Sequence, residues 1–472
     1  MHINAFTQCT PISQSIGQWR NPADVMSRGY TDLQVWTDLA KTLERGCIDA
    51  LFFADIHGIY DGYAGNRDAA VRHAVQTPGA DPLLLISALA AATRRLGFAS
   101  TYSTTYHSPY NCARTFSSLD HFTKGRIGFN VVTSYMKNAE DNGLGVMLPH
   151  DERYDRADEY LDVVYKLWEG SWADDAVIRD ATHNIHTAPE RVHDIDHAGA
   201  YFSVRGPHMC EPSLQRTPVI YQAGASPRGI EFGAKHAEAL FVGFTDPRNA
   251  RERVTMIRER IAAHGRDPAS VKILAGIIPI VGDTDADAQR KFDDALQYVS
   301  PEGTFALFGG WTGVDLSRYG LDDRLDDIDS DGMQAIARGM RGKTMRDFYE
   351  RIKLGSFSVK IIGSAAHVAD TLEEWVDVGG VDGFNIMPVV QPGSHEDFVN
   401  AVIPELQRRG RFRTAYAGTT LREHYFGAGH TRVRSDHPAA RYRASASKER
   451  AAEPADCGRS PTISAAFDAD TL

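Results

Sequence analysis

Short runs that are apolar on both faces recur along this chain, separated by longer stretches in which apolar residues return every three to four positions. Val219-Ile220-Tyr221 and Ile273-Leu274-Ala275-Gly276-Ile277-Ile278 show the first pattern. A strand has both faces apolar when helices cover both, as in the parallel sheet of an α/β fold. Such β-type runs fall at about 2–6, 50–54, 97–103, 127–132, 218–223, 239–244, 271–280 and 383–388. Helical spacing fills the intervals, most clearly at about 30–46, 82–94, 111–123, 155–169, 228–237, 246–264, 284–299, 365–378 and 395–409. In the fourth of these helices Tyr154, Ala157, Leu161, Val164, Tyr165 and Trp168 form one stripe. It leaves His150 and Tyr154, four residues apart on one side of the first turn, at the mouth of the helix. Strands alternating with helices eight times predict a (β/α)8 TIM barrel. A doubly wound open sheet is the competing architecture, and no G-x-G-x-x-G follows a strand to support it.

Three stretches exceed what a minimal barrel needs: about 56–80 after strand 2, 170–216 after strand 4 and 300–358 after strand 7. They read as lids, edge hairpins or subunit contacts. The third holds Phe305-Ala306-Leu307-Phe308-Gly309-Gly310-Trp311, which suits either a mobile cover over the barrel mouth or a packed interface segment. From about Thr431 onward large apolar residues thin out, predicting an extended arm followed by a disordered tail. The expected organisation is one barrel domain over 1–428 and an extension over 429–472.

Composition narrows the function. The 42% hydrophobic and 24% charged residues are those of a globular protein with a large core. Acidic residues outnumber basic ones by 62 to 51, a net charge of -11, which argues against nucleic acid or an anionic membrane as main partner. Cys9, Cys47, Cys112, Cys210 and Cys457 are scattered without a C-x-x-C pair, so a reducing cytoplasm is expected rather than a disulfide framework. The chain has no apolar run of 18 residues and no secretory leader pattern at its start.

In a (β/α)8 barrel, ligands are met by residues at the C-terminal ends of strands. Asp55, Thr101, Asn130 and Ser226 all fall at or just past such ends. Ser226-Pro227 reads as an N-cap followed by the first helical residue, and Gly224 and Gly229 let backbone approach a ligand closely. Free N–H groups there suit a phosphate, with Arg228 at hand, although an ordinary capped helix has the same signature. No nucleophile triad has a recognisable local pattern, so hydrolysis lacks support. His183, His186, His193, Asp194, Asp196 and His197 cluster in the second insertion, but their spacing matches no standard metal site and a solvated hairpin explains them; no metal is expected.

The segment Leu148-Pro149-His150-Asp151-Glu152-Arg153-Tyr154-Asp155-Arg156-Ala157-Asp158-Glu159 resembles the flavin-dependent monooxygenases of the bacterial luciferase superfamily. So do Asp55 after Leu51-Phe52-Phe53-Ala54, Thr101, Asn130-Val131-Val132-Thr133-Ser134 and Gln222-Ala223-Gly224-Ala225-Ser226. The likeness runs from about residue 2 to 443 and is strongest to the group acting on nitrilotriacetate, dibenzothiophene sulfone and dimethyl sulfide. Details such as Tyr165-Lys166-Leu167-Trp168-Glu169-Gly170-Ser171-Trp172 and His437-Pro438-Ala439-Ala440 look nearest to the dimethyl sulfide enzymes.

The resemblance implies that Asp55, Thr101, His150, Tyr154 and Ser226 bind FMN, with Asn130 and Thr133-Ser134 as further contacts. It implies reduced FMN delivered by a separate NADH:FMN reductase, O2 as co-substrate, and oxidation of a small organosulfur compound, dimethyl sulfide to methanethiol and formaldehyde. A homodimer or homotetramer fits the same pattern. Water must be kept from the reduced flavin, and Phe53, Tyr60, Tyr63, Tyr106, Tyr110 and Trp311 are candidates for a dry wall. No residue is singled out for catalysis. Alternatives are the same chemistry on a sulfone or aminopolycarboxylate, a flavin carrier without turnover, and a deazaflavin-dependent oxidoreductase.

Overall fold

The computed structural model describes residues 1–325, Ala225 apart, and 342–443. Eight parallel strands close a barrel: β1 His2–Gln8, β2 Ala50–Ala54, β3 Gly97–Ser103, β4 Ile127–Val132, β5 Val219–Gln222, β6 Ala239–Val242, β7 Lys272–Gly282 and β8 Gly383–Ile386. The ring shuts where β1 pairs with β8, His2 opposite Gly383 and Ala5 opposite Ile386. All eight sit where the apolar runs predicted them. The sequence reading missed a further strand, Val359–Ser364, which pairs with the second half of β7 while the first half of β7 pairs with β8. Its residues alternate between buried and half-buried, so it carries no continuous apolar run.

Strand periodicity sorts side chains into two cores. Phe6, Phe52, Tyr221 and Leu274 point into the barrel, whereas Phe53 and Phe98 pack outward against the helices, Phe53 lying 5.5 Å from the Trp36 ring. The N-terminal end of the barrel is plugged by the short helix Leu421–Phe426. A capping box of Thr420 and Glu423 starts it. Leu421 and Tyr425 enter the barrel interior, and the Tyr425 hydroxyl donates to Asn4 Oδ1 at 2.8 Å. Two ion pairs fasten the flanks, Arg413 with Asp49 and Arg422 with Glu238.

The insertions have structure of their own. Residues 56–80 include the helix Asp68–Arg72, and 170–216 form two small antiparallel pairs, Val177–Asp180 with Ile185–Thr187 and His197–Ala198 with Ser203–Val204. The glycine-rich run of the third insertion lies in a helix, Pro301–Thr312. Phe305, Leu307 and Phe308 are buried there in a second cluster with Ile16, Tyr60, Ala70 and Phe348. The first and third insertions therefore share a core beside the barrel. The arm is docked through buried Val433 and Ala439, and the His437 ring donates from Nε2 to the His236 carbonyl at 2.8 Å. The expected disordered tail falls on 444–472, outside the described residues. Among the described residues no helix is long and apolar enough to cross a membrane.

Candidate active site

The C-terminal ends of β1 to β6 surround a cavity of about 1440 Å³, its open mouth included. Asp55, Thr101, His150 and Tyr154 all line it, as do Asn130, Thr133 and Ser134. Thr101 and Asn130 stand opposite each other on β3 and β4, and the Asn130 amide donates to Thr101 Oγ1 at 2.7 Å. That bond leaves Asn130 Oδ1 buried without a partner; Gln222 Oε1 is unpaired too, but it faces Gly233 behind β5 rather than the cavity. Buried polar atoms are seldom left unpaired, so the Asn130 oxygen is ready for a ligand's donor.

Asp55 follows β2 and is largely enclosed. Burial pushes its carboxyl up to about 7, against a hydrogen bond from the Ile56 backbone that lowers it. The loops after β3 and β4 are pinned together: Ser103 and Ser134 hydroxyls meet at 2.7 Å, and Thr105 Oγ1 donates to the Thr133 carbonyl at 2.7 Å.

Opposite this pair, the helix His150–Tyr165 begins at the cavity rim. His150 is half-exposed and bonded to Asp151 at 2.7 Å, while Tyr154 is buried. Ser226 does not line the cavity but borders it. Its hydroxyl caps the helix Pro227–His236 by accepting from Gly229 N at 3.0 Å. A Cβ placed on Gly229 would meet the Tyr154 hydroxyl at 2.7 Å and Ser226 Oγ at 3.1 Å, so Tyr154, Ser226 and Gly229 form one cradle. Arg228 is turned away from it, paired to Asp155 at 2.8 Å and Asp158 at 2.6 Å. The cation on the cavity wall is Arg153, which sequence reasoning missed. It donates to the Ser134 carbonyl at 2.7 Å and keeps its Nε buried and unpaired. Its only signal was its place between His150 and Tyr154.

The aromatic wall differs from the expected one. Tyr106 and Trp311 line the cavity, with Phe6, Phe52, Tyr135 and Phe241 beside them. Phe53 does not, because neighbouring strand residues face opposite ways and Phe52 takes the inward position. Tyr110 reaches instead to the Pro207 carbonyl at 3.2 Å, and Tyr63 packs at the edge of the second cluster. Tyr60 stands just behind the wall. Its hydroxyl bonds Gln76 at 3.0 Å, Tyr135 at 2.7 Å and the Trp311 indole N–H at 3.0 Å, joining three loops at one atom. Three histidines of the second insertion are spent on nearby groups, His183 on Asp180, His186 on Thr187 and His197 on Glu159, whereas His193 Nε2 is buried without a partner.

The luciferase-like monooxygenase family pattern matches residues 16–382. The long-chain alkane monooxygenase of Geobacillus thermodenitrificans (strain NG80-2) is 50% identical over 94% of this chain and 98% of that protein. The dimethyl-sulfide monooxygenase of Hyphomicrobium sulfonivorans is 46% identical over 93% of both chains. Its crystal structure superposes with a TM-score of 0.89, covering 97% of this chain and 100% of that one. A riboflavin lyase crystallised with modified FMN and riboflavin has a TM-score of 0.88 at 35% identity, covering 94% and 99% of the two chains.

Proposed function

This chain belongs to the luciferase-like monooxygenase family and is a flavin-dependent monooxygenase; from that premise we propose that its barrel-mouth cavity binds reduced FMN and, with O2, oxidises a small organosulfur compound. The observation that carries the reading is the pairing of two features in one cavity. Orphaned Asn130 Oδ1 awaits a ligand's donor, and the cradle of Tyr154, Ser226 and Gly229 at the cavity's border, with Arg153 on the cavity wall, suits an anion. When bound, reduced FMN supplies the two electrons that let O2 place one oxygen atom in the substrate and release the other as water.

The protein's part is binding, orientation and exclusion of water. Asp55, Thr101 and Asn130 meet the polar edge of the flavin ring. His150, Tyr154 and Ser226 hold the phosphate end, with Arg153 as its cation. Tyr106, Trp311 and Phe241 keep the ring dry. Reduced FMN comes from a separate NADH:FMN reductase, in keeping with the absence of a nicotinamide fingerprint from the sequence.

Dimethyl sulfide is the proposed substrate: oxygen inserted at the carbon beside sulfur gives a hemithioacetal that collapses to methanethiol and formaldehyde. Likeness to the Hyphomicrobium enzyme favours it. The second reading is oxidation of a long-chain alkane, favoured by the likeness to the Geobacillus enzyme. Aerobic turnover with FMN, NADH and a generic flavin reductase separates them. Formaldehyde and methanethiol released from dimethyl sulfide support the first reading. Hexadecanol from hexadecane supports the second, and peroxide alone from both rejects both.

Asp55 gives the site a pH dependence. Its carboxyl is raised to about 7, so it passes from neutral to charged near neutrality, and a flavin lying on it removes more water and disfavours the charged form further. FMN affinity is therefore expected to be highest below about pH 7 and to fall as the pH rises through it. Fluorescence titrations from pH 5.5 to 8.5 test this. Asp55→Asn should flatten the profile, and an unchanged slope in that variant would remove Asp55 from the flavin's surroundings.

A further inference from the structure

A second cavity, about 1130 Å³ with its open mouth, adjoins the first along Asp55, Ile56, His57, Gln76 and Thr101. Beyond that shared wall it is bounded by Thr10, Thr77, Asp81, Leu83, Tyr102 and His107. It reaches the first cavity at the residues proposed to hold the flavin ring, the place where a molecule must stand to be oxidised.

Two features define what it can hold. The first is charge: Asp55 and Asp81 are the carboxylates of its lining, and no lysine or arginine is among the described lining residues. Asp81 caps the helix Pro82–Ala92, accepting from Leu83 N at 2.8 Å, and its charge also reaches His57 and His107. The second is a hydrogen-bond donor left over. His57 and His107 meet through their Nε2 atoms at 3.0 Å, so one ring carries its proton on Nε2 and the other accepts. Burial lowers both imidazoles, that of His107 to about 4, and keeps the pair neutral. A neutral ring whose Nε2 accepts must carry its proton on Nδ1, and that N–H has no hydrogen-bond partner among the described residues. His107 is held in place by stacking on Tyr102, with ring centroids 4.0 Å apart.

We propose that this second cavity receives the organic substrate and selects a compact, uncharged molecule with a hydrogen-bond-accepting heteroatom, against carboxylates and long alkanes. This rests on the flavin lying in the first cavity. A carboxylate ligand would face the Asp81 carboxylate without a cation to offset it, and a long alkane would lay methylenes on Thr10, His57, Asp81 and His107, stripping them of water without replacing their hydrogen bonds.

The test uses full-length protein loaded with FMN and reads the shift of the flavin absorption band on titration with dimethyl sulfide, (methylthio)acetate or hexadecane. Dimethyl sulfide is expected to half-saturate at a concentration at least roughly tenfold below the other two. Leu83→Trp fills the second cavity without lining the first, and should raise the dimethyl sulfide requirement about tenfold at unchanged FMN affinity. Asp81→Asn keeps the helix cap but removes a charge, and should narrow the gap between dimethyl sulfide and (methylthio)acetate several-fold. Equal binding of (methylthio)acetate or hexadecane overturns the selectivity, and dimethyl sulfide binding indifferent to both substitutions overturns the location. Wild-type protein that takes up no FMN would instead reject the flavin reading itself.

Discussion

Replacing Arg422 by alanine is expected to cost about 3–5 kcal/mol of unfolding free energy, the loss typical when one member of a buried ion pair is removed. Arg422 is 1% exposed, and its guanidinium meets Glu238 at 2.8 and 2.9 Å and the Thr217 and Thr431 carbonyls at 2.8 and 2.9 Å. Burial alone would push the Glu238 carboxyl up, but the charge of Arg422 overrides it and holds the group below its ordinary value. Without Arg422 that carboxylate is stranded at the start of β6, and the plug helix loses its clamp. Urea denaturation followed by circular dichroism measures the loss. Arg422→Met with Glu238→Leu should recover most of it, since the desolvation cost of both charges is removed together. A single variant within about 1 kcal/mol of wild type would mean the pair is solvated and the plug is held by its apolar side chains alone.

The second large effect is expected at the flavin's phosphate. Arg153→Met should weaken FMN binding about 10- to 100-fold, the range for a lost hydrogen bond to a charged group, while leaving riboflavin binding nearly unchanged. Arg153 is the cation on the cavity wall and has an unpaired buried Nε, whereas Arg228 is neutralised by Asp155 and Asp158. Arg228→Met should therefore change FMN affinity less. Fluorescence titration of both ligands against both variants decides the matter, and a loss larger in Arg228→Met than in Arg153→Met would reverse the two roles.

Strand positions were legible because a barrel strand is covered on both sides and its apolar run is unbroken. Val359–Ser364 escaped for the opposite reason, pairing outside the ring with half-buried positions. The helix Pro301–Thr312 is apolar nearly all round and so lacks the one-sided stripe that betrays a helix; its Ser300 cap, Pro301 and Gly313 were the available signals. The plug helix is only six residues long, but Thr420-Leu421-Arg422-Glu423 spelled out its capping box.

At the site, strand ends led to Asp55, Thr101 and Asn130, and helical spacing led to His150 and Tyr154. Neither rule distinguishes Arg153 from Arg228, because what turns Arg228 away from the cavity is its pairing with Asp155 and Asp158 on the neighbouring helix. The Phe52 and Phe53 exchange has a simpler origin: adjacent phenylalanines give no sign of which one faces inward.

A crystal structure of the protein with FMN tests the central claim most directly. The account predicts the flavin ring between Asp55, Thr101 and Asn130 at the ends of β2 to β4, with its phosphate among Tyr154, Ser226 and Arg153. A phosphate seated instead beyond β7 and β8, the commoner place in barrels of this architecture, would contradict it.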